Sequence, residues 1–268
     1  MDMSSVMKLA LLVTLSQAAP PLTWKVTDSD VTFEMTAKDL RALREGKEVF
    51  GLQSRKKAFL AKVKPDAEDR KNRDTSDWSA SESYKVLSVV GPWVSYERSS
   101  AGYSGGAHPY EHTDYVATDV TRDPDSVSLL AVFPEREVLA ALKADGFVKK
   151  HISDATAFKK AGTVEELLSS LEAGEDCVGF ERGFDGVKRS FAFHHLEGDK
   201  VAVRIAFGYA AEVCRGNKFV VGLLLPIPPA LKSALGRAEK REEGFLMKDA
   251  KAVRAPTVNF SWEATPQR

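Results

Sequence analysis

The sequence predicts an α+β fold in which a largely antiparallel sheet packs against helices. Strand patterns, with alternating apolar and polar residues, occur in different blocks from the segments with helical spacing. Short turns rich in glycine, proline and aspartate join neighbouring strand patterns, as they do in antiparallel hairpins. Because strands and helices do not alternate one by one, parallel βαβ units are not expected.

The N-terminus predicts a secretory signal peptide over residues 1–18. Lys8 precedes an apolar run, and small residues stand at the two positions that a signal peptidase reads. We therefore expect cleavage after Ala18 or Ala19. The mature chain is then exported, either to the periplasm or to the outside of the cell.

The rest of the chain is predicted to form one module followed by a tail. Its parts are an N-terminal strand and helix part, residues 22–83, a main part, residues 84–235, and the end of the last helix with a tail, residues 236–268. No later segment approaches the roughly 18 consecutive apolar residues that a membrane span requires. No membrane span is therefore expected in this module.

The N-terminal part is predicted to begin with strands and continue as a helix. Loose alternation over 22–34 predicts a strand pair. Thr36 resembles a helix N-cap, and apolar residues at roughly helical spacing follow as far as Val63, which predicts a helix that Gly46 breaks in two. The polar segment 65–83 predicts an exposed loop.

The main part is predicted to contain two groups of three strands, because its β-branched and aromatic residues alternate. The first group is residues 84–90, 93–99 and 112–120. The second group is residues 190–195, 201–207 and 219–225, with a hairpin turn at 196–199. A last strand is predicted over residues 258–262.

Three helices are predicted between and after these strands. Helical spacing covers residues 135–152. Thr163 and Glu166 have the spacing of a capping box, which predicts a helix that stops at Gly174. The two prolines at 228–229 open a final helix that continues to about residue 240.

Composition limits the classes of partner. The chain has 38 basic and 38 acidic side chains, whereas nucleic-acid binding requires a basic face, so nucleic acid is not an expected partner. Its two cysteines, Cys177 and Cys214, predict a disulfide in an exported protein. The alternative is a pair of buried free thiols.

Residues 101–115 contain two sequence patterns that resemble catalytic motifs. Gly102 to Gly106 fit G-x-S-x-G, which would make Ser104 a nucleophile at a strand-to-helix turn. A strand pattern follows this segment instead of a helix, so the nucleophile is not expected.

The overlapping spelling H-x-x-E-H, from His108 to His112, resembles that of a zinc hydrolase. On a strand, four residues span about 13 Å, whereas two nitrogens on one zinc ion lie within about 4 Å of each other. His194 and His195 are neighbours on a predicted strand and are expected to point to opposite faces. No catalytic residue, metal site or cofactor is therefore predicted.

The same segment resembles a family of exported domains. The strand before it, the turn of Tyr103 to His108 and the strand after it are similar to the extracytoplasmic domain of RsiV-type anti-sigma factors. A domain of this kind also precedes the catalytic part of the peptidoglycan deacetylase PdaC. Residues 201–235, with two strands and a proline-led helix, are similar as well. The resemblance implies an RsiV-like fold over residues 84–235 and a module that resembles a receptor for lysozyme.

We therefore expect an exported, non-catalytic cell-envelope binding domain whose partner is lysozyme, another wall-lytic enzyme or peptidoglycan. Loops often carry binding and tyrosine is favoured at interfaces, so the turn supplies the candidate contacts. These are Tyr103, Ser104, Gly105, Gly106, His108 and Tyr110. Three alternatives stay open: a purely architectural turn, a small peptidoglycan-directed hydrolase, and a structural envelope protein without a ligand.

Overall fold

The computed structural model describes residues 20–122, 127–171, 178–179, 191–209, 214 and 219–264. Strands and helices are both abundant within these ranges, and the strands pair in antiparallel sheets, which confirms the predicted class. The predicted signal peptide, residues 1–18, lies outside the described residues. None of the helices in the described ranges is long and apolar enough to cross a membrane.

The N-terminal sheet has four strands in chain order. They are β1 (Leu22–Lys25), β2 (Val31–Thr36), β3 (Asp39–Arg44) and β4 (Lys47–Gly51). The predicted strand pair at the start of this part is confirmed as β1 and β2.

The predicted helix after Thr36 is wrong over its first half. The hydroxyl of Thr36 accepts the backbone N–H groups of Lys38 and Asp39, which closes the turn between β2 and β3 and caps no helix. Glu45 and Gly46 both have positive φ, at 50° and 75°, and form the two-residue turn between β3 and β4. Two left-handed residues in succession match the twist of a hairpin, so the chain reverses here as a strand pair.

Only the second half of the predicted helix is helical, as α1 (Arg55–Val63). The Arg55 guanidinium lies 5.1–5.5 Å from the ring centroids of Phe50, Tyr84 and Tyr96. A cation over aromatic faces is attractive, so Arg55 connects the N-terminal sheet to the next sheet.

The predicted loop over 65–83 is also partly wrong. Asp66 opens a short helix, α2 (Ala67–Asn72), by accepting the backbone N–H groups of Glu68 and Asp69. The last residues of the segment are the start of the long strand β5 (Ser79–Val90). These residues are polar because one face of the strand is open to solvent at this end.

The central sheet has five strands. Besides β5 they are β6 (Trp93–Tyr103), β7 (Tyr110–Asp119), β12 (Gly244–Phe245) and β13 (Thr257–Glu263). Strands β5, β6 and β7 are neighbours in that order. Strands β12 and β13 pair with opposite ends of the other edge of β5. The predicted strands are confirmed here, and β5, β6 and β7 are longer than predicted.

A third sheet contains β8 (Val178–Gly179), β9 (Phe191–Glu197), β10 (Lys200–Tyr209) and β11 (Phe219–Pro226). Strand β10 lies between β9 and β11 and pairs with β8 at its far end. The second group of predicted strands is therefore confirmed, as is the hairpin turn between β9 and β10.

Helices cover one face of the third sheet. They are α3 (Leu129–Val132), α4 (Glu135–Ala144), α5 (Gly146–Lys150), α6 (Ala155–Lys160), α7 (Val164–Ser169) and α8 (Lys232–Glu239). The predicted helix over 135–152 divides because Asp145 caps a new helix by accepting the N–H of Val148. The capping box of Thr163 and Glu166 is confirmed, although α7 ends earlier than predicted.

Three apolar clusters hold these layers together. One lies between the N-terminal sheet, α1 and one face of the central sheet, and includes Phe33, Tyr96 and Phe260. A second lies between the third sheet and its helices. A small third cluster, with Leu87, Tyr115, Ala192 and Ala206, joins the opposite face of the central sheet to the third sheet.

Cys214 is buried, with 5% of its surface exposed, and is not a free thiol. Cys177 lies outside the described residues. The pairing of these two residues therefore stays a prediction.

Candidate functional site

At one end of the central sheet, the face that packs on the third sheet elsewhere is exposed to solvent. Ser261, Ser81, Ala101 and Glu111 form a row across β13, β5, β6 and β7, one residue from each strand. Ser81, Glu111 and Ser261 are exposed. The small cluster around Leu87 covers the same face further along the strands, so the third sheet covers only part of this face.

The β6–β7 hairpin closes this open end with a bend of residues 104–109. Gly105 has φ +79°, a conformation that residues with a side chain rarely adopt. A Cβ atom on Gly105 would lie 3.0 Å from Nε1 of Trp78. Trp78 is buried, at 6% exposed, so the bend lies directly over its indole ring. The backbone therefore requires glycine at this point of the turn.

Two grooves adjoin the hairpin. The first, of about 390 Å³, lies toward the open face of the sheet. The second, of about 340 Å³, lies toward α1 and is lined by Phe59, Val63 and Lys62 among others. Tyr103, Tyr110 and Trp262 line both grooves, and we call these three residues the aromatic wall.

The aromatic wall is partly open to solvent. Tyr110 is 39% exposed, although large apolar side chains in this protein are mostly buried. Its ring lies over Gly102, where a Cβ atom would be 2.7 Å from the tyrosine hydroxyl oxygen. A Cβ atom there would also clash with the backbone oxygen of Ser79, so this glycine allows both Tyr110 and β5 to approach β6 closely.

Carboxylates surround the aromatic wall. Glu111 and Glu263 line the first groove, and Glu82 lines the second. The Tyr84 hydroxyl donates to Glu82 at 2.6 Å. Burial raises the pKa of Tyr84, and this hydrogen bond raises it further. The pKa of Tyr110 is also raised, first by burial and then by the charge of Glu82. Both tyrosines are therefore neutral hydroxyls at physiological pH.

A charged network lies beside the second groove on β6 and β7. Asp114 accepts from Arg98 at 3.1 Å and from Nε2 of His112 at 2.8 Å. Burial alone would raise the pKa of Asp114, but the hydrogen bonds and charges of His112 and Arg98 lower it overall. The network holds β7 against β6 next to the hairpin.

The structure brings together some of the residues predicted for the turn. Tyr103 and Tyr110 line both grooves, and Ser104 lines the second. Gly105 covers Trp78, whereas Gly106 and His108 are exposed at the tip.

The two sequence patterns that resemble catalytic motifs lie on the β6–β7 hairpin. Strand β6 leads through the bend into β7, so Ser104 is not at a strand-to-helix turn. His108 lies in the bend, while His112 lies on β7 with its Nε2 on Asp114. Across the described residues, no group of three or more histidine, cysteine, aspartate or glutamate side chains could hold a metal ion.

The expectation that His194 and His195 point to opposite faces is wrong. The register between β9 and β10 shifts at Ala202 and Val203, which marks a β-bulge. The two rings meet with an Nδ1–Nδ1 hydrogen bond of 2.7 Å. An extra residue in one strand breaks the alternation, so neighbouring side chains can share a face.

Sequence reasoning missed several residues of the grooves. Trp78 comes from the segment that was predicted to be a loop, and Phe59 comes from α1. Trp262 was assigned to a strand, but only the pairing of β13 with β5 places it near Tyr110. Trp78 and Trp262 each lie in a polar segment, and a tryptophan in such a segment is the local signal that could have pointed to these two residues.

No known family model matches the chain, and no curated protein matches it. The functional argument therefore depends on the geometry and charge of the hairpin and its grooves.

Proposed function

We propose that the protein is an exported, non-catalytic binding domain of the cell envelope, and that the β6–β7 hairpin binds a basic wall-lytic enzyme such as lysozyme. The aromatic wall between the two grooves is the observation that carries this proposal. Its partly exposed tyrosine and tryptophan rings offer a large apolar contact that loses little conformational entropy on binding.

The charge of this surface favours a basic partner. Among the described residues that line the grooves, Glu82, Glu111 and Glu263 are acidic, whereas Lys62 is basic. In the described residues, no ion pair is recorded for Glu111 or Glu263. Carboxylates without a cationic partner raise the association rate with a basic protein and set its orientation.

Binding is a better account of this hairpin than hydrolysis. Ser104 has no recorded side-chain hydrogen bond to a base among the described residues, and His108 is exposed at the tip. A nucleophile needs a base within hydrogen-bond reach. The rings and carboxylates form a contact surface without that arrangement.

Titration calorimetry of the protein with an animal-type lysozyme tests the proposal. We expect saturable binding at micromolar concentration or tighter, and at least tenfold weaker binding for Tyr110→Ala, which is about 1.4 kcal/mol. Val220→Ala is the matched control, since Val220 is 38% exposed but lies on β11 in the third sheet. The combined change Glu111→Gln and Glu263→Gln should weaken binding and reduce its dependence on salt.

The absence of heat at high protein concentration would remove lysozyme as the partner. Equal losses from Tyr110→Ala and Val220→Ala would remove the hairpin as the binding surface.

Wall glycan is the second candidate, and the open face of the sheet favours it. Small polar side chains, including Ser81, Ser83, Ser99, Asn259 and Ser261, line a shallow groove beside Glu111. Such a surface next to aromatic rings can hydrogen-bond sugar hydroxyls while a ring stacks on the sugar face. Co-sedimentation with purified peptidoglycan, lost in Tyr110→Ala and kept in Val220→Ala, would favour glycan over lysozyme when calorimetry with lysozyme shows no binding.

A further inference from the structure

The bulge in β9 creates a second polar surface, away from the hairpin. Phe193 pairs with Val203 and His195 pairs with Ala202, so His194 is the extra residue. The Nδ1 atoms of His194 and His195 are 2.7 Å apart. One of these two nitrogens therefore carries a proton and the other accepts the hydrogen bond, so both Nε2 atoms point to other contacts. The Nε2 of His195 lies 4.0 Å from Glu197.

Arg204 lies on the same face of the third sheet. It is two residues from Ala202, the partner of His195, and alternate residues of a strand share a face. Its guanidinium lies over Gly222 of β11, in the space that a side chain at position 222 would occupy. The glycine thus allows this guanidinium to lie across the sheet.

The charges that act on His194 are positive. Lys248, on the turn that packs against β9, lies near the histidines and bonds Glu239. Glu197 is the nearest carboxylate recorded for the histidines, at 4.0 Å from His195, and is 68% exposed. In the described part of the chain, no carboxylate is recorded on Arg204. The Arg204 guanidinium and the two imidazoles beside it offer several donors to an anion.

We propose that His194, His195 and Arg204 form a binding site for a phosphoryl group. The planar guanidinium fork matches two oxygens of a phosphate, and the imidazole Nε2 atoms supply donors on the same face of the sheet. The ammonium group of Lys248 is paired with Glu239, so we do not count it among the groups that contact the phosphate.

Because of the histidine pair, phosphate binding at this site should depend on pH. While the pair is neutral, one Nε2 is a donor and the other an acceptor, because each ring carries a single proton. A proton taken from solvent makes both Nε2 atoms donors and adds a positive charge. Burial lowers the pKa of His194, and Arg204, His195 and Lys248 lower it further. A bound phosphate opposes these charges, so it raises the pKa of His194 and binds more tightly when His194 is protonated.

Titration of the full chain with inorganic phosphate, followed by the NMR signals of the five histidines, tests the site. We expect the signals of His194 and His195 to move together to saturation, while His108 at the hairpin stays unchanged. The pKa of His194 should rise by about one unit at saturating phosphate. The Arg204→Gln change should weaken binding at least tenfold. Arg136→Gln on α4 is the control, since its side chain is 85% exposed and pairs with neighbouring Glu137.

Gly222→Ala tests the geometry with little risk to the fold. The added Cβ meets the flexible end of Arg204 and must displace it, so phosphate binding should fall while the unfolding transition is retained. Glycerol phosphate and a poly(glycerol phosphate) chain then distinguish a free phosphate monoester from a polymer phosphodiester as the source. Histidine signals that do not move, or equal binding by Arg204→Gln and the parent, would overturn the proposal.

Discussion

The two ends of the central sheet are built from the same three strands but have opposite surroundings. At one end, Val86, Leu87, Val89 and Val90 are all at most 2% exposed, so both faces of β5 are covered. At the other end, β5 alternates between buried Ala80 and exposed Ser81. The composition of each end follows the layer that covers it, and the strand itself is continuous.

Under the proposed function, one end of each strand contributes to stability and the other end contributes to recognition. The covered end contacts two other layers, and its side chains fill space between them. The open end has a solvent-facing row of small polar residues and ends at the aromatic wall. Substitutions at the first end should therefore alter folding, and substitutions at the second should alter binding.

The largest expected effect is at the covered end. Leu87→Ala should lower the free energy of unfolding by about 3 kcal/mol, because a buried leucine leaves a cavity that its neighbours fill only partly. Ser83→Ala, on the same strand and the same face, should change it by less than about 0.5 kcal/mol. Urea unfolding followed by circular dichroism measures both, and equal losses would show that the open end is covered in solution.

A smaller effect is expected at the hairpin. Gly105→Ala should cost about 1–2 kcal/mol, since alanine is strained at φ +79° and its Cβ would approach Trp78. Gly106→Ala is the matched control, because the nearest atom to its Cβ is 3.9 Å away and no positive φ is recorded there. Thermal unfolding of the two variants compares them. A similar melting temperature for both would indicate that the bend leaves Trp78 in solution.

The smallest effect is a pH dependence at the Asp114 network. The folded state lowers the pKa of Asp114, so its ion pairs stabilise the protein above the unfolded pKa of about 3.9 and are lost as pH falls through the folded value. Arg98 and His112 are both more than 40% exposed, so this contribution is below about 1 kcal/mol.

Asp114→Asn should therefore reduce the free energy of unfolding at pH 7 and leave it near the parent value at pH 2. Urea unfolding at the two pH values measures the difference. A deficit of the same size at both would indicate that packing, and not charge, accounts for the effect.

Local patterns predicted much of the fold. The three long strands of the central sheet alternate between apolar and polar residues, and the capping box of Thr163 and Glu166 is a local hydrogen-bond arrangement. The hairpin of β3 and β4 was missed because Leu40, Leu43 and Phe50 fit a helix as well as a strand. The left-handed turn at Glu45 and Gly46 decides between them, and a positive φ at glutamate cannot be read from composition.

The candidate site was predicted only in part, for a related reason. Tyr103 and Tyr110 stand on either side of the glycine turn and are close in sequence. Trp78 and Trp262 approach them through the pairing of β13 with β5, a contact between distant segments. The His194–His195 bulge likewise depends on register with β10, and register is a property of two strands together.

The surface that we propose for binding also depends on the pairing of β13 with β5. Residue 79 in β5 pairs with residue 263. One edge of the central sheet is therefore formed by the segment that contains Trp262. Contacts between such distant segments close a long loop and form slowly. A chain shortened before residue 257 would leave that edge of β5 unpaired and the aromatic wall without Trp262. The surface that we propose for recognition is therefore complete only when β5 and β13, which are far apart in the sequence, have paired.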